Sequence, residues 1–170
     1  MRKFFVLLLS VLAALVVTMA PASAIGPIST TRDGGLHFVG SPDLTVVGNV
    51  ASGFSLRATG EVAGAGTVAT ATLTADVAVT TGCINRGSQG QQPNGLQRSF
   101  TTAVGSETFR TRSGRGSFDF TTNTVTAAGR RCPDQMTPVL VSVTFSNIVL
   151  TVTSQTGTTI ARLADITRPA

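Results

Sequence analysis

The strongest constraint on the fold is a long stretch, residues 67–81, in which polar and apolar side chains alternate: TVATATLTADVAVTT. The apolar positions Ala69, Ala71, Leu73, Ala75, Val77 and Val79 share one parity. The polar positions Thr70, Thr72, Thr74, Asp76 and Thr80 share the other. Because side chains alternate across a strand but spiral around a helix, a helix would mix the two sets. The pattern predicts an antiparallel strand with one face on the core and the other in water.

Other segments rich in Thr and Val, and separated by Gly and Asn, have the same strand-like composition. They cover residues 36–39, 44–50, 54–62, 97–104, 107–111, 116–121 and 123–128, and a short strand at 158–163 is predicted to close an edge. Six phenylalanines within strand-like stretches are predicted to fill the core: Phe54, Phe100, Phe109, Phe118, Phe120 and Phe145.

The last substantial apolar run, residues 139–153, changes its parity once. Val139, Val141, Val143 and Phe145 share one parity, whereas Ile148, Leu150 and Val152 share the other. A flip at Ser146-Asn147 predicts either a β-bulge or a strand that crosses from one sheet to the other.

Many short strands with regular turn signals and no helical period predict an all-β fold. We expect an antiparallel β-sandwich, immunoglobulin-like in the broad sense, because the parity flip suits strands that change sheets. A barrel is the alternative. The chain has no Trp and no Tyr, which argues against a carbohydrate-binding module built on exposed aromatic platforms.

The N-terminus has the three parts of a secretory signal peptide. Arg2 and Lys3 precede an apolar run, and the Ala-Ser-Ala motif at 22–24 is the kind that signal peptidase accepts. A membrane anchor is disfavoured because the run, which ends before Pro21, is marginal against the roughly 20 apolar residues that a span needs. We predict a signal peptide at 1–24, a flexible leader at 25–35, a single β domain at 36–166 and a frayed tail at 167–170. The protein is then secreted, with no membrane span after cleavage.

The chain has two cysteines, Cys83 and Cys132. Two cysteines in an exported chain form a disulfide by default, and each of these lies beside a predicted strand. A redox pair would need close C-x-x-C spacing or an electropositive, exposed thiol, and the spacing here is far wider. We predict a structural disulfide.

The net charge gives no indication of a nucleic-acid partner. Arg2 and Lys3 account for two of the 13 basic residues, so 11 remain after signal cleavage against eight acidic residues, a net charge of +3. A small excess spread along the chain lacks the clustered stripe that nucleic-acid binding requires.

The sequence contains no recognisable catalytic, metal or cofactor motif. His37 is the only histidine, so a His-rich metal site is impossible and a Cys/His zinc site would need the disulfide to be broken. No G-x-S-x-G elbow supports a triad on His37, and a surface or edge imidazole is its ordinary explanation. The spacing of the carboxylates selects no glycosidase pair. Asp76 and Asp119 lie on polar parities that favour solvated or Arg-paired roles.

A long polar loop is the first of two candidate interaction sites. It spans residues 83–97 and carries Asn85 and Asn94. Loops of this length are often functional or mobile. The alternative is a disordered hairpin loop anchored at one end by Cys83.

The second candidate is a local basic cluster of Arg110, Arg112 and Arg115. Strand alternation puts Arg110 and Arg112 on one face, where they would clamp a carboxylate, phosphate or sulfate. The alternative, which we favour, is a charged hairpin edge that discourages pairing between sheets.

Several segments follow a distinctive order: TADVAVTTGCINRG, a polar loop with Pro93, and CPDQ ahead of VSVTFSNIVLTV. This order resembles a group of small exported bacterial β-domain proteins, of the GC-rich Gram-positive type, with one disulfide and a Cys-x-Asn-x-Gly loop. The distinctive positions are Cys83, Asn85, Gly87, Pro93, Cys132 and Pro133. The resemblance implies export and a disulfide-bonded β domain. No activity is assigned to that group, so it implies no functional residue.

Together these features predict a secreted, non-enzymatic β-sandwich protein with a structural or binding role at the cell surface or in the extracellular matrix. It would act without a cofactor on an extracellular or cell-surface partner that the sequence does not identify. One alternative is a secreted inhibitor of a hydrolase, acting through the 83–97 loop held by the disulfide. A small hydrolase built on His37 is another.

Overall fold

The computed structural model describes residues 26–85, 87, 93–127 and 129–169, so the predicted signal peptide at 1–24 lies outside the described residues. The regular secondary structure of these residues consists entirely of β-strands. The strands form two antiparallel sheets that pack together without closing into a barrel. The predicted antiparallel β-sandwich is confirmed. The strands are β1 (Pro27–Gly34), β2 (His37–Phe38), β3 (Asp43–Asn49), β4 (Gly53–Ala63), β5 (Val68–Asn85), β6 (Asn94–Arg110), β7 (Gly116–Thr121), β8 (Met136–Ser154), β9 (Gly157–Leu163) and β10 (Ile166–Pro169).

The larger sheet has the strand order β1-β9-β8-β5-β6, and β10 also pairs with β8. The smaller sheet has the order β2-β4-β3, and β7 also pairs with β4. Buried apolar side chains from both sheets form one core between them. β6 therefore forms one edge of the larger sheet, and β1 forms the other.

The alternation predicted for residues 67–81 is confirmed in β5. Its apolar positions from Ala69 to Val79 are at most 3% exposed on the predicted parity, whereas Thr74 and Asp76 on the other parity are exposed. The inner face of β5 forms much of one side of the core. Leu73 there lies opposite the buried Leu150 of β8.

The parity flip in β8 is a β-bulge. Between two regular stretches of the β5–β8 ladder, Asn147 and Ile148 of β8 face the single Ala75 of β5. Asn147 has a φ of 50°, in the left-handed region that bulges and turns use. Because β8 stays in the larger sheet along its whole length, the bulge prediction is confirmed and the alternative of a strand that changes sheets is wrong.

A second bulge in β8 was not predicted. The register against β5 shifts by one residue at Val141, and this shift turns Leu140 into the core, where it is 3% exposed. Val139 and Val141 are only partly buried, so the parity that they share with Val143 and Phe145 in the sequence does not place them on the same face.

The two ends of the domain extend further than the sequence indicates. β1 pairs with β9 from Pro27 to Gly34, which corrects the flexible leader predicted for 25–35. β10 pairs with β8, with Pro169 opposite Ser142, which corrects the frayed tail predicted for 167–170. Both strands are held by backbone pairing, which leaves little trace in a hydrophobic pattern.

Three internal boundaries also differ from the prediction. β9 lies between β1 and β8, so the strand predicted at 158–163 is not a closing edge. Segments 97–104 and 107–111 join in β6, which pairs with β5 without a break from Gln97 to Arg110. Residues 123–127 form no strand, and Val125 makes an isolated bridge with Phe54.

Five of the six phenylalanines predicted for the core are buried there: Phe54, Phe109, Phe118, Phe120 and Phe145. Phe100 is 76% exposed, so its predicted core position is wrong. It lies opposite Ala78 on β5, with the parity that faces away from the second sheet.

Replacing Phe145 with Ala should lower the free energy of unfolding by about 3–5 kcal/mol, because a fully buried ring leaves a cavity. Phe100→Ala is the matched control and should change it by less than about 0.5 kcal/mol, because the ring is mostly in water. Urea unfolding followed by circular dichroism measures both values. Equal losses would contradict the surface position of Phe100.

Candidate functional site

The predicted disulfide joins Cys83 and Cys132, with an S–S distance of 1.98 Å and a Cα–Cα distance of 5.8 Å. Cys83 lies near the end of β5, opposite Asn94 on β6 and Pro138 on β8. The bridge therefore ties the segment that precedes β8 to one end of the larger sheet. Such a disulfide is compatible with an oxidising extracellular compartment.

The polar loop predicted at 83–97 is shorter than expected because both flanking strands continue into it. Asn85 ends β5 opposite Met136, and Asn94 begins β6 opposite Cys83. Both asparagines are exposed. Residues 86 and 88–92 of the predicted loop lie outside the described residues.

The predicted arginine cluster lies at the hairpin between β6 and β7. The backbone N–H of Arg112 donates to the carbonyl of Arg115 at 2.7 Å, and the reverse bond is 2.9 Å. The two residues between them have φ values of 49° and 75°, as a type I′ turn requires. Arg115 also lies 3.1 Å from a carboxylate oxygen of Glu61. Among the described residues, Arg110 and Arg112 have no ion-pair partner, so two exposed guanidinium groups remain at this hairpin.

A bidentate ion pair crosses the smaller sheet between Arg57 on β4 and Asp119 on β7. Arg57 Nε donates to one carboxylate oxygen at 2.6 Å, and its Nη2 donates to the other. These hydrogen bonds hold the pKa of Asp119 below its ordinary value. The predicted Arg-paired role of Asp119 is confirmed. Asp76 instead accepts a hydrogen bond of 2.8 Å from the Asn147 side chain beside the β8 bulge.

His37 lies in an open cleft formed by residues of β1, β2 and β9. Its Nδ1 is 3.0 Å from the carbonyl oxygen of Gly35. Because a carbonyl oxygen only accepts, Nδ1 is the donor in this contact. A catalytic triad places a carboxylate at this nitrogen, whereas here a backbone carbonyl occupies it. The other lining residues are Thr30, Thr31, Arg32, Phe38, Gly40 and Thr159.

Arg130 is a contact residue that sequence reasoning missed. It donates hydrogen bonds to the carbonyl of Gly95 and to the side-chain oxygen of Gln97, at the start of β6. Its Nε is buried beside a small cleft and has no hydrogen-bond partner among the residues that the structure describes. No local sequence signal marks these contacts, because Arg130 and its partners are separated by 33 and 35 residues.

An exposed apolar surface on β6 was also missed. Phe100 is 76% exposed, Leu96 62% and Val104 48%, all on the same outward parity. The guanidinium carbon of Arg98 lies 5.3 Å from the centroid of the Phe100 ring, within cation–π distance. We call Leu96, Arg98, Phe100 and Val104 the β6 surface. Their shared parity was the available signal, but it does not reveal whether the outward face is covered.

In the described part of the chain, no group of three or more His, Cys, Asp or Glu side chains is placed to hold a metal ion. No helix in the same residues is long and apolar enough to cross a membrane. No known family model matches the chain, and a search of curated proteins finds no significant similarity.

Replacing Cys83 and Cys132 with Ser should lower the free energy of unfolding by about 4 kcal/mol. This value is the chain-entropy estimate for a bridge with a sequence separation of 49. Urea unfolding measures the change, and wild type reduced with dithiothreitol is the control for the substitutions. A variant as stable as the oxidised protein would contradict a stabilising role for the bridge.

The Arg57–Asp119 pair should stabilise the fold only while Asp119 is ionised. Because the pKa is lowered in the folded state, the stabilisation is complete above the unfolded value of about 3.9 and is lost as the pH falls through the folded value. Asp119→Asn should therefore lower Tm slightly at pH 7, and the difference from wild type should close in acid. The effect is small because the pair is exposed. Arg57→Gln should reproduce it, and a difference independent of pH would contradict the assignment.

Proposed function

We propose that the protein acts outside the cell as a non-enzymatic structural or binding protein, and that the β6 surface is its contact surface. Export follows from the signal peptide predicted at 1–24, and the disulfide is compatible with that compartment. The partner is a protein located at the cell surface or in the extracellular matrix.

The observation that carries the proposal is the exposure of Phe100. A phenylalanine that is 76% exposed, with Leu96 and Val104 exposed on the same face, places apolar area in water on one strand. Large exposed apolar side chains that share one face of a sheet favour an interaction site on that face. The five other phenylalanines named above are buried in the core. Phe100 is therefore an exception, with its ring in water on the outward face of β6.

Arg98 makes the same surface more suitable for protein contact. Aromatic residues and arginine are enriched among the residues that dominate binding energy. Arg98 lies against the Phe100 ring, so a partner that covers the ring also meets a cation. This combination suits a protein surface with apolar and hydrogen-bond-accepting groups.

Two of the residues predicted from the sequence border this surface. Asn94 begins β6, and Asn85 ends the neighbouring β5 at the same end of the sheet. The cluster of Arg110, Arg112 and Arg115 lies at the opposite end of β6 and in the hairpin that follows. These residues would contribute polar contacts around an apolar centre.

The double variant Leu96→Ser/Phe100→Ser should lose attachment to the surface of the producing cells. We expect the retained fraction to fall roughly tenfold or more, because truncating a central aromatic residue commonly weakens an interface by this much. Quantitative immunoblotting of the cell-surface and medium fractions measures it. Thr153→Ala, on the outward face of β8, is the matched control and should be retained like wild type.

His37→Ala should also be retained like wild type, because the proposed role uses no catalytic histidine. Wild-type protein found entirely in the medium, or a double variant retained as well as wild type, would contradict the proposed function.

A further inference from the structure

The contacts of Val104 show which backbone N–H and C=O groups of β6 point away from β5. The carbonyl of Val104 accepts from the backbone N–H of Asn123 at 3.0 Å, and the N–H of Val104 donates to the Asn123 side chain at 2.7 Å. Both groups of Val104 therefore point away from β5. Since the backbone groups of successive residues point to alternate sides of a strand, Arg98, Phe100 and Thr102 direct theirs to this same edge. No described residue pairs with them there.

The stretch of β6 whose outward backbone groups are unpaired is bounded at both ends. At one end, Asn123 occupies the backbone groups of Val104. At the other end, the register between β5 and β6 shifts just before Gln97, and the Leu96 side chain lies over Gly82 on the outward face. We call residues 96–102 the open edge. Its midpoint is Ser99.

The open edge also lacks the usual protection of an exposed strand. Edge strands are normally blunted by Pro, by several charges or by bulges. β1, at the other edge of the same sheet, carries Pro27, Arg32 and Asp33. Residues 96–102, LQRSFTT, contain no Pro and one charged side chain, that of Arg98.

We propose that a second copy of this chain occupies the open edge, pairing antiparallel about a two-fold axis at Ser99. This inference rests on the proposed function, and it assigns a partner to the edge of the strand that carries the β6 surface. In this register Leu96 faces Thr102 of the second copy, and Arg98 faces its Phe100. The pair formed by Arg98 and Phe100 exchanges two backbone hydrogen bonds, and Thr102 directs its own groups toward Leu96 of the second copy, because Arg98, Phe100 and Thr102 all direct their N–H and C=O outward. The open edge is then filled from end to end.

The side chains select this register over its neighbours. Pairing about Ser99 places each Arg98 guanidinium beside Phe100 of the second copy, an arrangement in which cation and ring attract. Pairing about Arg98 would bring two like charges directly opposite each other, which is destabilising. Pairing about Phe100 would put Leu96 opposite Val104, whose backbone groups are already bonded to Asn123.

A contact of one strand edge is smaller than a standard protein interface, so the dimer should be reversible. Sedimentation velocity of protein recovered from the medium, over a concentration series, should show the weight-average sedimentation coefficient rising toward that of a dimer.

Thr102→Pro removes one outward N–H without disturbing the hydrogen bonds between β6 and β5, and it should abolish this concentration-dependent rise. Phe100→Lys should weaken association roughly tenfold or more, because two lysines then face two arginines. Thr153→Lys adds the same charge on β8 and should associate like wild type.

Cysteine cross-linking tests the register itself. About the proposed axis the two Ser99 residues form a non-hydrogen-bonded pair with Cα atoms about 4.5 Å apart, within the range that a disulfide bridges. Ser99→Cys should therefore give a cross-linked dimer under mild oxidation, with the Cys83–Cys132 bridge intact by peptide mapping. Thr101→Cys, the matched control, should stay monomeric on a non-reducing gel because Thr101 faces Gln97 of the second copy.

A protein that is monomeric at every concentration, with no Ser99→Cys cross-link, would overturn the self-pairing proposal. Cross-linking of Thr101→Cys, or association that survives Thr102→Pro and Phe100→Lys, would overturn this register. If the monomeric protein still attaches to cells through Leu96 and Phe100, the proposed function stands and its partner is a different protein.

Discussion

The structure depends on the backbone pairing of β5 on both of its sides. β5 pairs with β8 from Ala69 to Asn85 and with β6 from Val68 to Cys83. Because both sides are occupied, its register is fixed, and a register slip of one residue would move the whole apolar set to the solvent face. The same arrangement makes β6 an edge strand. The pairing of β5 thus determines both one side of the core and the position of the exposed surface to which we assign a function.

Much of this fold is predictable because the pattern of β5 reports which side chains share a face. The flip in β8 is predictable for the same reason, since Ile148 leaves the parity of Phe145 and a bulge restores the apolar face to the core. The inward orientation of the Leu140 side chain could not be predicted in this way, because Val139 and Val141 on either side are equally apolar. Strands β1 and β10 are held by backbone pairing while their side chains remain largely exposed, so a hydrophobic pattern carries little information about them.

The candidate site was harder to predict, for a related physical reason. Parity assigns Phe100 to a face, but only the packing of the two sheets shows that this face of the larger sheet is left in water. Arg115 illustrates a second limit, because its contact with Glu61 depends on a pairing between β4 and β7 that no local pattern specifies. The disulfide was predictable because two cysteines in a chain that is predicted to be exported allow one bridge. Arg110 and Asn94, two of the candidate interaction residues, lie at exposed positions, whereas the apolar surface between them was not recognised.

The disulfide and the open edge are connected through Arg130. Cys132 fixes the segment before β8, and Arg130, two residues earlier, donates to the carbonyl of Gly95 and the side chain of Gln97 at the start of the open edge. These bonds approach β6 from the side of the small cleft, so they hold the strand without occupying the outward N–H and C=O groups of Arg98, Phe100 and Thr102. An edge that is ordered before it binds loses less conformational entropy on pairing. In the proposed self-pairing, the covalent bridge would therefore contribute to binding as well as to stability, because it helps to order the strand that pairs.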